Sequence, residues 1–234
     1  MKVLILGSKG MLGHMVHKYL KSLDVKVETY EGRWPEDKSQ ILEFNGDYII
    51  NCIGAIPQRR NVFNINYELP IWLDSNTSCK IIHPGTDCDD DDYGNSKKKA
   101  TNFILTQGKN TKIIKTSILG PELQGGASLL EWFLSQEEEI NGYTKAIWNG
   151  NTTLEWAKHC YEIILEWGKF ETETVLQGET ISKYDLLKTI SEVYNKQIKI
   201  NPIEKGVDRR LLGDIKTPSI KTQLIELKQF GNSK

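Results

Sequence analysis

Three side chains are of the right kind for acid–base work at a carbonyl group: Thr86, Tyr93 and Lys97. In "TDCDDDDYGNSKKKA" the tyrosine and the lysine stand four residues apart where a helical pattern begins, so they share one face. A free phenol titrates near about 10 and is a poor proton donor–acceptor at neutral pH. A neighbouring ammonium favours the phenolate and moves that value toward the working range. Thr86 ends the predicted strand "KIIHPGT" and could hold the same oxygen that Tyr93 protonates. Each feature also has a plain reading: an exposed tyrosine with a lysine one turn on, and a threonine that caps a turn.

The chemistry needs a scaffold, and the N-terminus supplies one. "KVLIL" is a short apolar run of the kind a buried strand shows, and "GSKGMLG" follows it, with glycines at 7, 10 and 13. Met11, Leu12, Met15, Val16, Tyr19 and Leu20 then recur at helical spacing. A strand, a glycine-rich turn and a helix N-terminus form a site for a dinucleotide pyrophosphate. The first glycine permits the turn, the second admits the phosphates and the third lets helix and strand pack. A positive nicotinamide ring bound there would add to the pull of Lys97 on the Tyr93 proton. Near the end of the second strand, "VETYEGRW" offers Glu31 for a ribose 2′-hydroxyl and Arg33 for a 2′-phosphate. The spacing does not choose; NADPH, through Arg33, is the expectation taken forward, with NAD as the other cofactor.

Further strands are predicted at 25–30, 47–54, 79–85 and 111–119, with helices near 38–44, 61–75 and 93–107. Strands alternating with helices predict an α/β fold, a Rossmann-like doubly wound parallel sheet with right-handed crossovers. Beyond Gly120 the pattern changes. Amphipathic helices are predicted over 128–140 and 152–167, a strand over 173–179, a helix over 182–196 with Ser182 as N-cap, and a strand over 197–203. The expected organisation is a dinucleotide-binding core at 1–120 and a smaller C-terminal substrate-binding α/β portion at 121–234, packed as one compact body.

Composition narrows the function classes. Thirty basic and 31 acidic side chains in 234 residues leave a formal net charge of −1, so no global field draws the chain to nucleic acid or an anionic membrane. No apolar run reaches the ~18 residues of a membrane span, and the N-terminal apolar run is too short for a signal peptide. The four cysteines (Cys52, Cys79, Cys88, Cys160) form no CxxC pair and read as reduced thiols of a cytoplasmic protein. The "NTS" at Asn76 and "NTT" at Asn151 would then never meet a glycosyltransferase. Asp89–Asp92 lacks calcium-loop spacing and reads as a solvated run before a helix N-terminus. No metal site is expected.

As a set, the glycine loop, "IINCIG" at 49–54, "GTDC" at 85–88, "YGNSK" at 93–97 and "KTSILGPE" at 115–122 resemble the extended short-chain dehydrogenases/reductases. Within them the chain is most similar to the dTDP-4-dehydrorhamnose reductase-like, sugar-nucleotide-modifying branch, over residues 1 to about 190. The resemblance implies that Tyr93 is the general acid, that Lys97 lowers its pKa and binds the nicotinamide ribose, and that Thr86 polarises the carbonyl. It implies a cofactor cradle of Gly7, Ser8, Lys9, Gly10, Met11, Leu12 and Gly13, lined by Asn51, Cys52, Ile53 and Gly54, with Gly120 and Pro121 by the nicotinamide. Asp87, Trp148 and Arg209 are the further candidate substrate contacts, Trp148 by stacking and Arg209 by gripping a diphosphate. Homodimers are common in the wider family and one is expected on that ground. One departure is plain. Only six residues, Asp87–Asp92, separate Thr86 from Tyr93, where the family has a longer segment. An extended chain of that length reaches about 20 Å, so the triad can close, but one wall of the substrate pocket is pared away.

The expected activity is NAD(P)H-dependent reduction of a nucleotide-linked 4-keto-6-deoxy sugar. An epimerase or dehydratase on the same scaffold, with Asp87 as acidic partner, is the second enzyme reading. A non-catalytic dinucleotide-binding protein is the third.

Overall fold

A computed structural model describes residues 1–59, 62–87 and 91–232. Cys88, Asp89 and Asp90, which the sequence reading singled out, lie outside the described residues. The chain alternates as expected at first: β1 (Lys2–Leu6), α1 (Met11–Lys21), β2 (Lys26–Tyr30), α2 (Lys38–Leu42), β3 (Tyr48–Asn51), α3 (Ile65–Asn76), β4 (Lys80–Pro84), α4 (Asp92–Gln107) and β5 (Thr111–Lys115). Then come β6 (Ile118–Leu119), α5 (Leu129–Ser135), β7 (Ile140–Tyr143), β8 (Ile147–Trp148), β9 (Asn151–Thr152), α6 (Thr153–Leu165), β10 (Glu173–Gln177), β11 (Ile181–Ser182), α7 (Lys183–Tyr194), β12 (Ile200–Ile203), β13 (Ile215–Lys216) and α8 (Ile220–Asn232).

Seven strands form one sheet in the order β13-β10-β5-β4-β3-β1-β2. The pairs β1–β2, β1–β3, β3–β4 and β4–β5 are parallel. Val3, Leu4, Ile5 and Leu6 are all buried, as a strand covered on both faces requires. One face packs Leu4, Leu6, Ile49 and Ile81 against Ile41 of α2 and Leu69 and Leu73 of α3. This is the Rossmann-like α/β architecture. The chain leaves β1 for β2 on one side and returns to β3 on the other, so a crevice opens at the carboxyl ends of β1 and β3.

By its internal contacts the chain divides into two units, Met1–Lys115 with Ala157–Thr174, and Thr116–Trp156 with Val175–Lys234. In the first, Tyr48 Oη donates to the carbonyl of Ile164 at 2.9 Å, tying the returning α6 segment to β3. Asp74 accepts from the backbone N–H groups of Lys109 and Asn110 and from Thr111 Oγ1, which fixes the entry to β5. The second unit holds three two-stranded pairings, β6–β9, β7–β12 and β8–β11, around a buried amide network. There Asn151 Nδ2 donates to Thr116 Oγ1 at 2.9 Å, and Gln223 Nε2 donates to Asn151 Oδ1 at 3.0 Å.

Several expected elements end early. The strand expected over 111–119 breaks at Thr116–Ser117 into β5 and β6, and β6 pairs with β9 instead. The helix expected over 128–140 stops at Ser135; three consecutive glutamates follow it, and Ile140 opens β7. The strand expected over 47–54 stops at Asn51, leaving Cys52–Gly54 as a loop. The helix α8 had no counterpart in the expectation, although Ile220, Leu224 and Leu227 form a buried stripe at helical spacing.

Candidate functional site

The residues with chemical potential in the first unit cluster at the carboxyl ends of neighbouring strands. Register pairs Leu6 with Tyr30 on one side and with Asn51 on the other, so Gly7, Glu31 and Cys52 follow side by side. Gly7 has φ +77°, a conformation that strains any side chain. A Cβ there would also sit 3.0 Å from the Cys52 carbonyl. A Cβ on Gly13 would overlap the Gly7 carbonyl oxygen, so the third glycine is what lets α1 close on the turn. Gly10 N donates to Gly7 O at 3.0 Å, completing the turn. The N-cap of α1 is Gly10, with no side-chain cap and no acidic residue in the first turn, so the helix N-terminus keeps its positive end for a ligand.

Lys9 projects from the middle of this loop and pairs with Glu31 at 2.6 Å; Thr29 Oγ1 donates to the same carboxylate at 2.9 Å. These bonds, that of Lys9 first, hold the Glu31 carboxyl below its ordinary pKa. Arg33 is exposed, and its backbone N–H donates to Asp37 Oδ2 at 2.7 Å.

At the ends of β3 and β4 the polar groups are buried. Asn51 Oδ1 accepts from Ile53 N at 3.1 Å, which turns its Nδ2 toward His83 Nδ1 at 3.2 Å. That assigns the His83 proton to Nε2, a buried atom with no hydrogen-bond partner among the described residues. Burial, then the nearby Lys97 charge, push the His83 pKa well below the ordinary value, so the ring is neutral at pH 7. Desolvation raises the Cys52 thiol to about 12, against the pull of Lys97, which removes it as a nucleophile.

The helix α4 carries Tyr93 and Lys97. Its start is set by Asp91, whose Oδ1 accepts from Gly94 N at 2.6 Å. The part of the acidic run that is described is therefore a helix cap. Tyr93 is half-buried, its ring edge-on to Phe63 at 5.9 Å between centroids. Lys97 is only 6% exposed, whereas Lys98 and Lys99 face solvent. Its Nζ donates to Pro84 O at 3.4 Å, a long bond, and lies 3.6 Å from where a Cβ on Gly54 would be. Burial lowers its pKa from 10.5 to about 8. The α3 residue Asn66 holds this arrangement together. Its Oδ1 accepts from Ala55 N at 2.7 Å, while Nδ2 donates to Ala55 O and to Ser96 Oγ, both at 3.0 Å. Ser96 Oγ in turn donates to Tyr93 O at 2.6 Å. The loop after β3 and the first turn of α4 are thus fixed to one another.

Thr86 is buried just beyond β4, and Asp87 beside it is half-buried. The structure therefore brings Gly7–Gly13, Asn51–Gly54, Thr86, Tyr93 and Lys97 onto neighbouring strand ends and helix starts of one unit. Gly120, Pro121, Trp148 and Arg209 belong to the second. There Trp148 is a buried residue of β8, and Arg209 is exposed with its backbone N–H donating to Ile147 O at 3.0 Å. Glu31 had been weighed only as a ribose ligand, without its pairing to Lys9. Asn66 was not anticipated, though it shares a face with Leu69, Pro70 and Leu73, and a lone amide on an apolar stripe is a signal. Among the described residues, no group of three or more His, Cys, Asp or Glu is placed to hold a metal ion, and no helix is long and apolar enough to cross a membrane.

No family model and no curated protein sequence matches this chain. Solved structures do. A dTDP-4-dehydrorhamnose reductase from Clostridium acetobutylicum superposes with a TM-score of 0.78 at 18% identity, covering 100% of both chains. One from Bacillus anthracis, in complex with NADP, gives 0.80 at 15% identity, covering 97% of this chain and 98% of that one. A dTDP-glucose 4,6-dehydratase from B. anthracis, in complex with NAD, gives 0.73 at 15% identity over 98% and 96%. The chain has the α/β fold shared by the dTDP-4-dehydrorhamnose reductases and related sugar-nucleotide enzymes.

Proposed function

We propose that the chain is an NAD(P)H-dependent reductase of the short-chain dehydrogenase/reductase type, acting on a nucleotide-linked 4-keto-6-deoxy sugar. The observation that carries the reading is Lys97: a buried ammonium with, among the described residues, one long hydrogen bond, one helical turn from Tyr93 and beside the loop after β3. A buried cation so poorly satisfied is costly unless a ligand completes it.

The residues fit a nicotinamide dinucleotide. The glycine turn leaves backbone room, the uncapped α1 N-terminus favours a pyrophosphate, and Lys97 has donors to spare for ribose hydroxyls. When bound, such a cofactor supplies the hydride. The chain supplies the rest. Tyr93 gives its proton to the keto oxygen, Thr86 holds that oxygen, and the Lys97 charge stabilises the phenolate left behind. Asn66 and Ser96 keep α4 in register with the β3 loop, so the two groups meet a bound cofactor at a fixed place.

The fold shared with a dehydratase, together with Asp87 directly after Thr86, favours dehydration as the second reading. Two mixtures separate the readings: a reductase given NADPH or NADH and a 4-keto-6-deoxy sugar nucleotide consumes reduced cofactor in proportion to product, whereas a dehydratase converts a sugar nucleotide that still carries its 6-hydroxyl with no net cofactor consumption. Tyr93→Phe should slow reduction by about 10² or more while dinucleotide binding persists. Full turnover in that variant rules Tyr93 out as the acid.

A further inference from the structure

Resting on the reading of the first unit as a dinucleotide site, we infer that His83 is a positioning residue for that site: its Nδ1 holds the Asn51 amide one way round, and the amide in turn holds the loop Cys52–Gly54 against Lys97. The proposed chemistry does not use this histidine, and its place in the sheet suits an aliphatic side chain. Ile50 pairs with Ile82 between β3 and β4, so Asn51 and His83 come next, side by side. Strand alternation puts them on the face that carries Ile49 and Ile81, which pack against Leu69 and Leu73 of α3. Both are buried. A neutral imidazole there leaves Nε2–H without an acceptor among the described residues, a standing cost that a leucine would not bear.

What the ring supplies is one acceptor at a fixed place. The Asn51 amide can turn either way, and only one way serves the loop. With Oδ1 toward the chain that follows, it accepts from Ile53 N at 3.1 Å and shapes the turn out of β3. Nδ2 then faces His83, whose Nδ1 accepts from it at 3.2 Å. A ring carrying its proton on Nδ1 would meet that donor with a donor, and a side chain with no acceptor would leave Nδ2 orphaned. In either case the amide gains by leaving Ile53 N. The loop so released contains Gly54. A Cβ on Gly54 would lie 3.3 Å from Asn66 Oδ1 and 3.6 Å from Lys97 Nζ, so a shift of the loop is carried to the Lys97 ammonium. His83 acts through Asn51 and is not itself a catalytic residue.

Two substitutions with opposite demands test this. His83→Leu fills the space but removes the acceptor; His83→Asn keeps an acceptor oxygen where Nδ1 stood but leaves a cavity. Each protein is unfolded in urea and, separately, titrated with NADH and with NADPH by nicotinamide fluorescence. His83→Leu should unfold at a urea midpoint equal to or above that of His83→Asn. It should nonetheless bind the preferred dinucleotide about tenfold more weakly than wild type, because the binding shape of the loop now strands one buried donor. His83→Asn should bind within about threefold of wild type despite its lower midpoint. A packing role alone predicts the reverse, with affinity falling as stability falls. Nitrogen NMR of the wild-type imidazole adds a readout free of binding, with the proton expected on Nε2 and Nδ1 bare. A Leu variant that binds within about twofold of wild type, or an Asn variant as weak as the Leu one, overturns the inference while leaving the dinucleotide site standing. So does a Leu variant that unfolds before the Asn one or fails to fold, or a proton found on Nδ1. Failure of wild type to bind either dinucleotide overturns the cofactor reading beneath it, and the inference with it.

Discussion

Replacing Lys97 with methionine should remove activity and yet stabilise the free protein. The two side chains have similar length and volume, so packing beside Gly54 and Pro84 is largely preserved. What changes is the charge. Burial takes the Lys97 pKa from 10.5 in the unfolded chain to about 8 in the folded one. At about 1.4 kcal/mol per pH unit, that gap means the folded state bears a cost of about 3 kcal/mol for holding the proton. The weak bond to Pro84 O, about 1 kcal/mol, is lost in the variant, so the net gain is about 2 kcal/mol. The sign depends on pH in a definite way. Below about pH 8 both folded and unfolded states carry the proton, and wild type bears the whole cost. Between about 8 and 10.5 only the unfolded chain holds the proton, so wild type gains on the variant as pH rises; above 10.5 neither holds it and the cost is gone. Urea unfolding of both proteins at pH 6.5, 8.5 and 10 reads this directly, since groups common to both cancel in the difference. Equal stability at pH 6.5, or a wild type more stable there than Lys97→Met, would refute the claim that Lys97 is buried as an under-satisfied cation.

Asn66→Ala removes an amide that serves Ala55 N, Ala55 O and Ser96 Oγ in a fully buried place. The unfolding free energy should fall by about 3 kcal/mol, and tolerance of the change to within 0.5 kcal/mol in a urea titration would mean those bonds are not made. Gly13→Ala drives a methyl group into the Gly7 carbonyl, so the turn must open. Calorimetry should then show dinucleotide affinity reduced at least about tenfold with the fold retained by circular dichroism. Asp91→Ala deletes the cap on Gly94 N and should cost about 1 kcal/mol, read as a lowered thermal midpoint; Asp91→Asn should recover most of it.

The scaffold was legible because its signals are local. The apolar run Lys2–Leu6 followed by glycines at 7, 10 and 13 needs only its own neighbours to become a strand, a turn and a helix. Tyr93 and Lys97 were legible as a pair because helical spacing places them on one face. The Lys9–Glu31 pair is different in kind: 22 residues separate its members, and they meet only because Leu6 and Tyr30 fall opposite each other in the sheet. No property of either residue announces that contact. The break at Thr116–Ser117 is equally non-local, since β6 leaves the main sheet to pair with β9.

Between these extremes lies a signal that was present and went unread. Lys97 shares a buried stripe with Ala100 and Ile104, at the three- and seven-residue intervals of a helix face. Asn66 shares one with Leu69 and Leu73 at the same intervals, and Gln223 sits within the stripe of Ile220, Leu224 and Leu227. In each case a polar side chain occupies a position that burial would assign to an aliphatic one. Such a residue must be satisfied by partners from other elements or be left to meet a ligand, because an orphaned polar group in the core costs too much to persist without one or the other. Asn66 and Gln223 take the first course, with three and four hydrogen bonds respectively. Lys97, with one long bond to Pro84 O among the described residues, does not. Among these three polar residues on apolar stripes, the one left short of partners among the described residues is the one placed beside the loop after β3 and one helical turn from the tyrosine, and that is the physical reason for reading it as the centre of the site.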